Sequence, residues 1–322
     1  MLENKNKIKD VVIATTYQCN SRCSFCNIWR KKETYSCLPA DYHNLPQNLK
    51  SVNLSGGEPF LRSDLADIVQ VIKNRCPKAS LIISTNGFCP HQIKEQIPVI
   101  LKADPNIGIA VSLDGFKEVH EKLRGLPGGF DLSLESLHNL KQAGVKNIKL
   151  AFTLGPDNVA ELPKIYLMAK QEGIEFSLAV QHSSDQYFSC LNDYRNQEDK
   201  MVEVLNWLIS QELKSFSPKK WLRAYFAYGV KEFIQFNQRI LPDYSGINSL
   251  FIDPHGQIFP SDVWSLKLGQ LKEIKNWNDF AQKSQAKLEV ATPPANWMIC
   301  TARQAIKRNW LKTTLWITRH KI

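Results

Sequence analysis

Three cysteines, Cys19, Cys23 and Cys26, fall within the stretch TYQCNSRCSFCNIW. Three thiols cannot all pair as disulfides, and they are one ligand short of a closed zinc site unless a residue such as His43 completes it. Thiolates are also the ordinary ligands of 4Fe–4S clusters. A cluster held by three of them leaves one iron free to engage a small molecule. Other candidates follow along the chain: Gly56, Gly57, Glu58 and Pro59 in SGGEPF, Ser84 and Asn86 in STNG, Ser112 and Asp114 in SLDG. Residues without a Cβ let backbone approach a ligand closely, and a glutamate can accept from a cationic amine. The remaining cysteines, Cys37, Cys76, Cys89, Cys190 and Cys300, are scattered and read as small buried hydrophobes.

These residues need a scaffold that gathers them. Short apolar runs at Val11–Thr15, Ser51–Leu54, Ser80–Ser84, Gly108–Leu113, Asn147–Phe152 and Glu175–Val180 read as buried strands. Between them, Leu65–Lys73, Leu132–Ala143 and Val159–Glu172 carry helical spacing, the last two followed by Gly144 and Gly173. Six strand–helix alternations imply parallel strands in an α/β sheet or open barrel, since parallel neighbours need crossovers. Working residues in such folds sit at the carboxyl ends of strands, which is where the cysteine stretch, SGGEPF, TNG and SLDG fall. QHSSDQYF follows the sixth strand, so Gln181, His182 and Asp185 become candidates for substrate contact. Beyond about residue 190 come two helices, Tyr194–Glu212 and Lys220–Leu241, then a hairpin in SLFIDPHGQIFP turning at DPHG. The expected division is a core over 8–190, a helical connector over 191–245 and an extension over 246–322.

With 43% apolar residues in a chain of 322, a sizeable core is feasible and global disorder is excluded. The polar start MLENKNKIKD lacks the apolar centre of a signal peptide, and no apolar run nears the roughly eighteen residues that span a bilayer. A cytoplasmic protein with reduced thiols is expected. The net charge is +10, and residues 301–322 carry six Lys/Arg and no acid, interleaved with Trp310 and Trp316. This tail reads either as a basic helix packed on the barrel or as a peripheral contact with an anionic membrane surface. No aromatic and cationic stripe outside it suggests nucleic acid.

The spacing Cys-x3-Cys-x2-Cys with Phe25 before the last cysteine, joined to SGGEP at the next strand exit, resembles the radical S-adenosylmethionine (SAM) superfamily. The resemblance covers about residues 8–182. It implies a partial (β/α)6 TIM-like barrel with a small C-terminal α+β extension. It further implies a 4Fe–4S cluster ligated by Cys19, Cys23 and Cys26, whose open iron chelates SAM. An electron from the cluster would cleave SAM to methionine and a 5′-deoxyadenosyl radical that abstracts hydrogen from a peptide, carbohydrate or lipid-linked substrate. SAM contacts are implied for Phe25, Gly56, Gly57, Glu58, Asn86, Ser112 and, in VHEKLRG, Arg124. A ferredoxin- or flavodoxin-type donor is implied as partner. Residues 248–303 resemble the SPASM or twitch extensions, but Ser261 and Asn296 stand near positions where cysteines are common, leaving Cys300. The extension is therefore expected to keep its shape without an auxiliary cluster. The competing reading is a non-catalytic zinc module with a basic recruitment tail.

Overall fold

The structure, a computed structural model, describes residues 8–321 apart from positions 33 and 195. Six strands, β1 (Asp10–Ala14), β2 (Ser51–Ser55), β3 (Ser80–Thr85), β4 (Gly108–Ser112), β5 (Asn147–Leu154) and β6 (Glu175–Val180), alternate with helices α1 (Leu65–Arg75), α2 (Pro90–Ala103), α3 (Lys117–Arg124), α4 (Gly129–Gln142) and α5 (Glu161–Gln171). All six strands pair in parallel in chain order, as the crossovers require. Helices α6 (Glu198–Leu213) and α7 (Pro218–Phe236) pack on each other. Strands β7 (Ser249–Ile252), β8 (Gln257–Phe259) and β9 (Gly269–Gln270) then precede α8 (Trp277–Glu289), α9 (Ile299–Arg308) and α10 (Trp310–His320).

The hairpin does not stand apart from the barrel. Strand β7 pairs in parallel with β1, so one sheet of nine strands runs β6-β5-β4-β3-β2-β1-β7-β8-β9. Strand β6 is left with an unpaired edge.

Period-two alternation explains the interior. In β5, Ile148, Leu150, Phe152 and Leu154 are buried in the core, while Lys149, Ala151 and Thr153 line the inner chamber. Val12, Asn53, Ser84, Ser112 and Ser177 continue that inner face. A closed barrel fills its interior with branched apolar side chains. Small and polar residues here leave a chamber of about 350 Å³.

Helices α2 and α3 lie where the apolar spacing marks none. Pro90 and Pro98 obscure the pattern of Ile93, Ile97 and Ile100 in α2, and α3 has only eight residues. Helix α7 ends at Phe236 rather than Leu241, because Asn237 takes the left-handed conformation, with φ 50°. Among the described residues, no helix is long and apolar enough to cross a membrane.

Candidate functional site

The thiols of Cys19, Cys23 and Cys26 border the chamber at the carboxyl ends of the strands, together with Phe25, Gly56, Gly57, Asn86, Ser112 and Arg124. The cysteine loop is latched from three sides. At β2, Gly57 N donates to Thr16 O at 2.7 Å and Glu58 N to Gln18 O at 2.8 Å. At the end of α3, Arg22 N donates to Arg124 O and Ser24 N to Leu123 O, each at 2.9 Å. From the segment after β6, Phe188 O accepts from Asn27 N at 2.7 Å, and Cys190 Sγ donates to Phe25 O at 2.9 Å.

Burial pushes the Cys19 and Cys26 thiols up to about 12. Metal binding at such thiols must release their protons, as thiolate ligation generally does. Among the described residues, no three His, Cys, Asp or Glu side chains converge as ligands of one ion. His43 is exposed in a 3-10 turn and is absent from the chamber wall. It does not complete a zinc site with the three cysteines.

Glu58 does not face the chamber. It is wholly buried behind the wall, where Oε1 accepts from Phe60 N at 3.1 Å and Thr85 Oγ1 at 2.8 Å, and Oε2 from Asn86 N at 2.7 Å. Its carboxyl braces the β2 exit against the β3 exit. The glycine pair also meets a demand of the chain itself. A Cβ on Gly56 would lie 2.4 Å from Thr16 O, and one on Gly57 2.1 Å from Gln18 O. Their missing side chains admit the cysteine loop.

Arg124 is buried, and its Nε donates to Asp114 Oδ2 at 2.6 Å. Burial opposes its charge, but Asp114 and Cys23 outweigh that and raise its pKa. Its Nη1 also donates to Cys23 Sγ at 3.9 Å, so the terminal nitrogens sit beside the thiols with N–H groups to spare for a carboxylate. Asp114 is fully buried beneath it and also accepts from Thr153 N at 2.8 Å. Asn86 Nδ2 donates to Asn20 Oδ1 at 2.7 Å and lies 3.8 Å from Cys19 Sγ. Of the substrate candidates, His182 lines the chamber, but Val180 O lies 2.8 Å from its Nδ1 and its Nε2 accepts from Trp297 N at 3.2 Å. Gln181 is buried outside the wall and Asp185 is exposed.

The extension contributes what sequence reading missed. Asp262, Cys300 and Arg303 face the chamber, as does Lys149 from β5. The alternation of β5 was legible enough to place Lys149 inward; nothing local marked Asp262. Asn296 has its amide fully engaged: Oδ1 accepts from Arg239 and Thr301, each at 2.8 Å, while Nδ2 donates to Asp243 and Pro294 O. Ser261 is buried beside Asp262.

Asp262 is 7% exposed and its Oδ1 lacks a hydrogen-bond partner among the described residues. Burial raises its pKa from 3.8 to about 7. Between those values the folded protein holds a proton on Asp262 that the unfolded chain has lost. Against an opposite slope from His120 and His182, which burial lowers to about 4, this group's contribution therefore falls as pH rises from about 4 to about 7. We expect Asp262→Asn to remove about 2–4 kcal/mol of that slope, measured by urea unfolding across pH. Glu58, raised by burial to about 7, titrates in the same window and retains part of the slope. An unaltered slope in Asp262→Asn would assign the whole effect elsewhere.

Comparison with known proteins places this geometry. Residues 13–169 match the radical SAM superfamily. Fe-coproporphyrin III synthase of Methanosarcina barkeri is 32% identical over 178 residues, covering 53% of this chain and 43% of that protein. The mycofactocin maturase MftC of Mycobacterium tuberculosis is 27% identical over 203 residues, covering 61% and 50%. The chain thus spans about half the length of the curated relatives it matches. Among solved structures, anSMEcpe with bound AdoMet aligns over 97% of this chain and 99% of its own, with a TM-score of 0.61 at 14% identity. Streptococcus suis SuiB bound to S-adenosylmethionine aligns over 86% and 66%, with a TM-score of 0.65 at 16% identity. At those identities the likeness concerns the fold.

Proposed function

We propose that this chain, whose residues 13–169 match the radical SAM superfamily, holds one 4Fe–4S cluster through Cys19, Cys23 and Cys26 and cleaves SAM to functionalise a C–H bond. The observation that carries the reading is the wall shared by the three thiols, Arg124 and the glycine loop around one chamber. The residues present fit the group: three thiols of one loop, braced on three sides, supply the donor chemistry of an iron–sulfur cluster. When bound, the cluster supplies the electron that splits SAM and so starts hydrogen abstraction.

The chain's own residues do the rest. Arg124 offers its terminal nitrogens to the SAM carboxylate and is oriented by Asp114. Asn86 and Ser112 present polar groups and Phe25 an aromatic face to the same space, while Gly56 and Gly57 bring backbone to it. Glu58 is a positioning residue. With Ser261 and Asn296 in place of cysteines, the reading keeps to a single cluster.

Superfamily chemistry also needs an electron donor. Arg22, Arg30 and Lys32 are exposed around the cysteine loop, with Arg22 and Arg30 lying over the Trp29 ring at 5.4 and 4.8 Å. That cationic collar supports docking of an acidic ferredoxin or flavodoxin.

The test is anaerobic reconstitution with iron and sulfide, then SAM and dithionite, with 5′-deoxyadenosine as readout. A brown protein that forms the nucleoside is the expected result. A colourless zinc protein, or a loaded cluster that never cleaves SAM, overturns the proposal.

The tail divides between its two readings. Trp316 stacks on Tyr228 at 4.8 Å, and Ile317 is buried, so one face of α10 packs on α7. The other face shows Trp310, Leu311 and Leu315 at 61%, 60% and 56% exposure. This supports peripheral binding to an anionic membrane surface. Truncation at residue 301 would remove buried Ala302, Ala305 and Ile306, so substitution is the cleaner test. Serine at positions 310, 311 and 315 together should weaken co-sedimentation with anionic vesicles by about tenfold or more. Unchanged sedimentation discards the membrane reading.

A further inference from the structure

The barrel interior carries charge that SAM chemistry does not use. Lys149 lines the chamber with a side chain 19% exposed, and no described residue hydrogen-bonds its ammonium. Its nearest acid is Glu175, 3.8 Å away, which also pairs with Lys219. Arg303, on α9, reaches the same chamber; its Nη1 donates to Ser51 Oγ at 2.5 Å and lies 3.7 Å from Asp10. Burial lowers the Lys149 pKa, and the positive charges of Lys219, Arg303 and Arg223 lower it further against the pull of Glu175.

Two further cavities lie beside this end of the chamber. Beside the unpaired edge of β6, the chamber shares Ser177, Leu178 and Ile299 with a narrow cavity of about 40 Å³. That cavity shares Phe176, Glu212 and Arg223 with an outer hollow of about 270 Å³, whose rim adds Lys170, Lys219 and Lys220. Glu212 is taken by Arg223, at 3.0 and 3.2 Å. Along this line of cavities, six cations (Lys149, Lys170, Lys219, Lys220, Arg223, Arg303) outnumber four carboxylates (Asp10, Glu175, Glu212 and, on the chamber wall, Asp262). Like charges lining a partly buried passage repel one another, and an anion between them relieves that cost. A cleft lined by one sign of charge also concentrates ligands of the other sign.

The geometry points to a lateral entrance along β6 for a substrate bearing an oxyanion, a carboxylate or a phosphate, which Lys149 and Arg303 hold at the inner end. This rests on reading the chamber as the reaction site and adds the chemical class of the substrate. An oxyanion seated there would direct the rest of the molecule toward the thiol end.

The test uses the full chain, reconstituted anaerobically, with pyrophosphate and glutarate as separate probes in equilibrium dialysis. The expected result is saturable binding of at least one probe, weakened at least tenfold in Lys149→Met and in Arg303→Gln but not in Lys94→Met on the outer face of α2. Preference for pyrophosphate or glutarate identifies which oxyanion the site takes. Binding of neither probe, or binding that both inner variants leave unchanged, overturns the inference. Wild-type protein that forms 5′-deoxyadenosine yet binds neither probe refutes this inference alone. Absence of nucleoside refutes the proposed function, and dialysis of the same sample still decides the anion site.

Discussion

We expect alanine at position 23 to remove the iron–sulfur absorbance of the reconstituted protein and to lower 5′-deoxyadenosine formation by more than about 10³-fold, equivalent to about 4 kcal/mol of transition-state stabilisation. The thiol of Cys23 borders the chamber with those of Cys19 and Cys26, and Ser21 Oγ lies 3.0 Å from it. On the proposed reading, two thiolates cannot replace three. The informative comparison is Cys190→Ala. Cys190 sits against the same loop, but its thiol donates to Phe25 O at 2.9 Å. Losing that hydrogen bond costs about 1 kcal/mol of stability and leaves cluster loading intact. Iron content, visible absorbance and nucleoside yield on both variants check this. Equal damage at 23 and 190 would mean that Cys190 is a fourth ligand, and the open-iron reading would fall.

The barrel was legible because its signals are local. Each of its six strands is a short apolar run, and each strand exit carries a motif with its own turn chemistry. The site positions were legible for the same reason; what each side chain touches is set by the fold. Glu58 in SGGEP reads as a ligand contact, but whether a carboxylate meets solvent or three backbone and hydroxyl donors depends on how closely the β3 exit approaches, and no spacing encodes that. Gly56 and Gly57 gave the same difficulty: close approach was expected, and only the fold says that the approaching group is the chain's own residue 16 or 18. Asp262 and Arg303 come from over two hundred residues downstream of the cysteine loop. They reach the chamber only because β7 joins β1, a parallel pairing that hairpin chemistry does not announce.

That close approach sets the second large effect. We expect Gly57→Ala to reduce SAM cleavage by about a hundredfold while costing about 1–3 kcal/mol of stability. The added methyl would lie 2.1 Å from Gln18 O, 2.6 Å from Gln18 C and 2.8 Å from Tyr17 O. All three are backbone atoms, so no rotamer change relieves the overlap, and the segment must move by about an ångström. Gln18 directly precedes Cys19, and its carbonyl accepts from Glu58 N at 2.8 Å. The movement therefore carries the first thiol away from its neighbours and unfastens the β2 latch together. Gly144→Ala is the control. Gly144 has φ +82°, with nothing within 4 Å of its ideal Cβ, so the variant bears about 1–2 kcal/mol of backbone strain far from the site. Similar losses of stability in the two variants, with nucleoside formation lost only at position 57, tie the glycine to placement of the cysteine loop. Wild-type turnover in Gly57→Ala would show that the loop yields without moving Cys19, and that the cysteines are held by the α3 and Phe188 contacts alone.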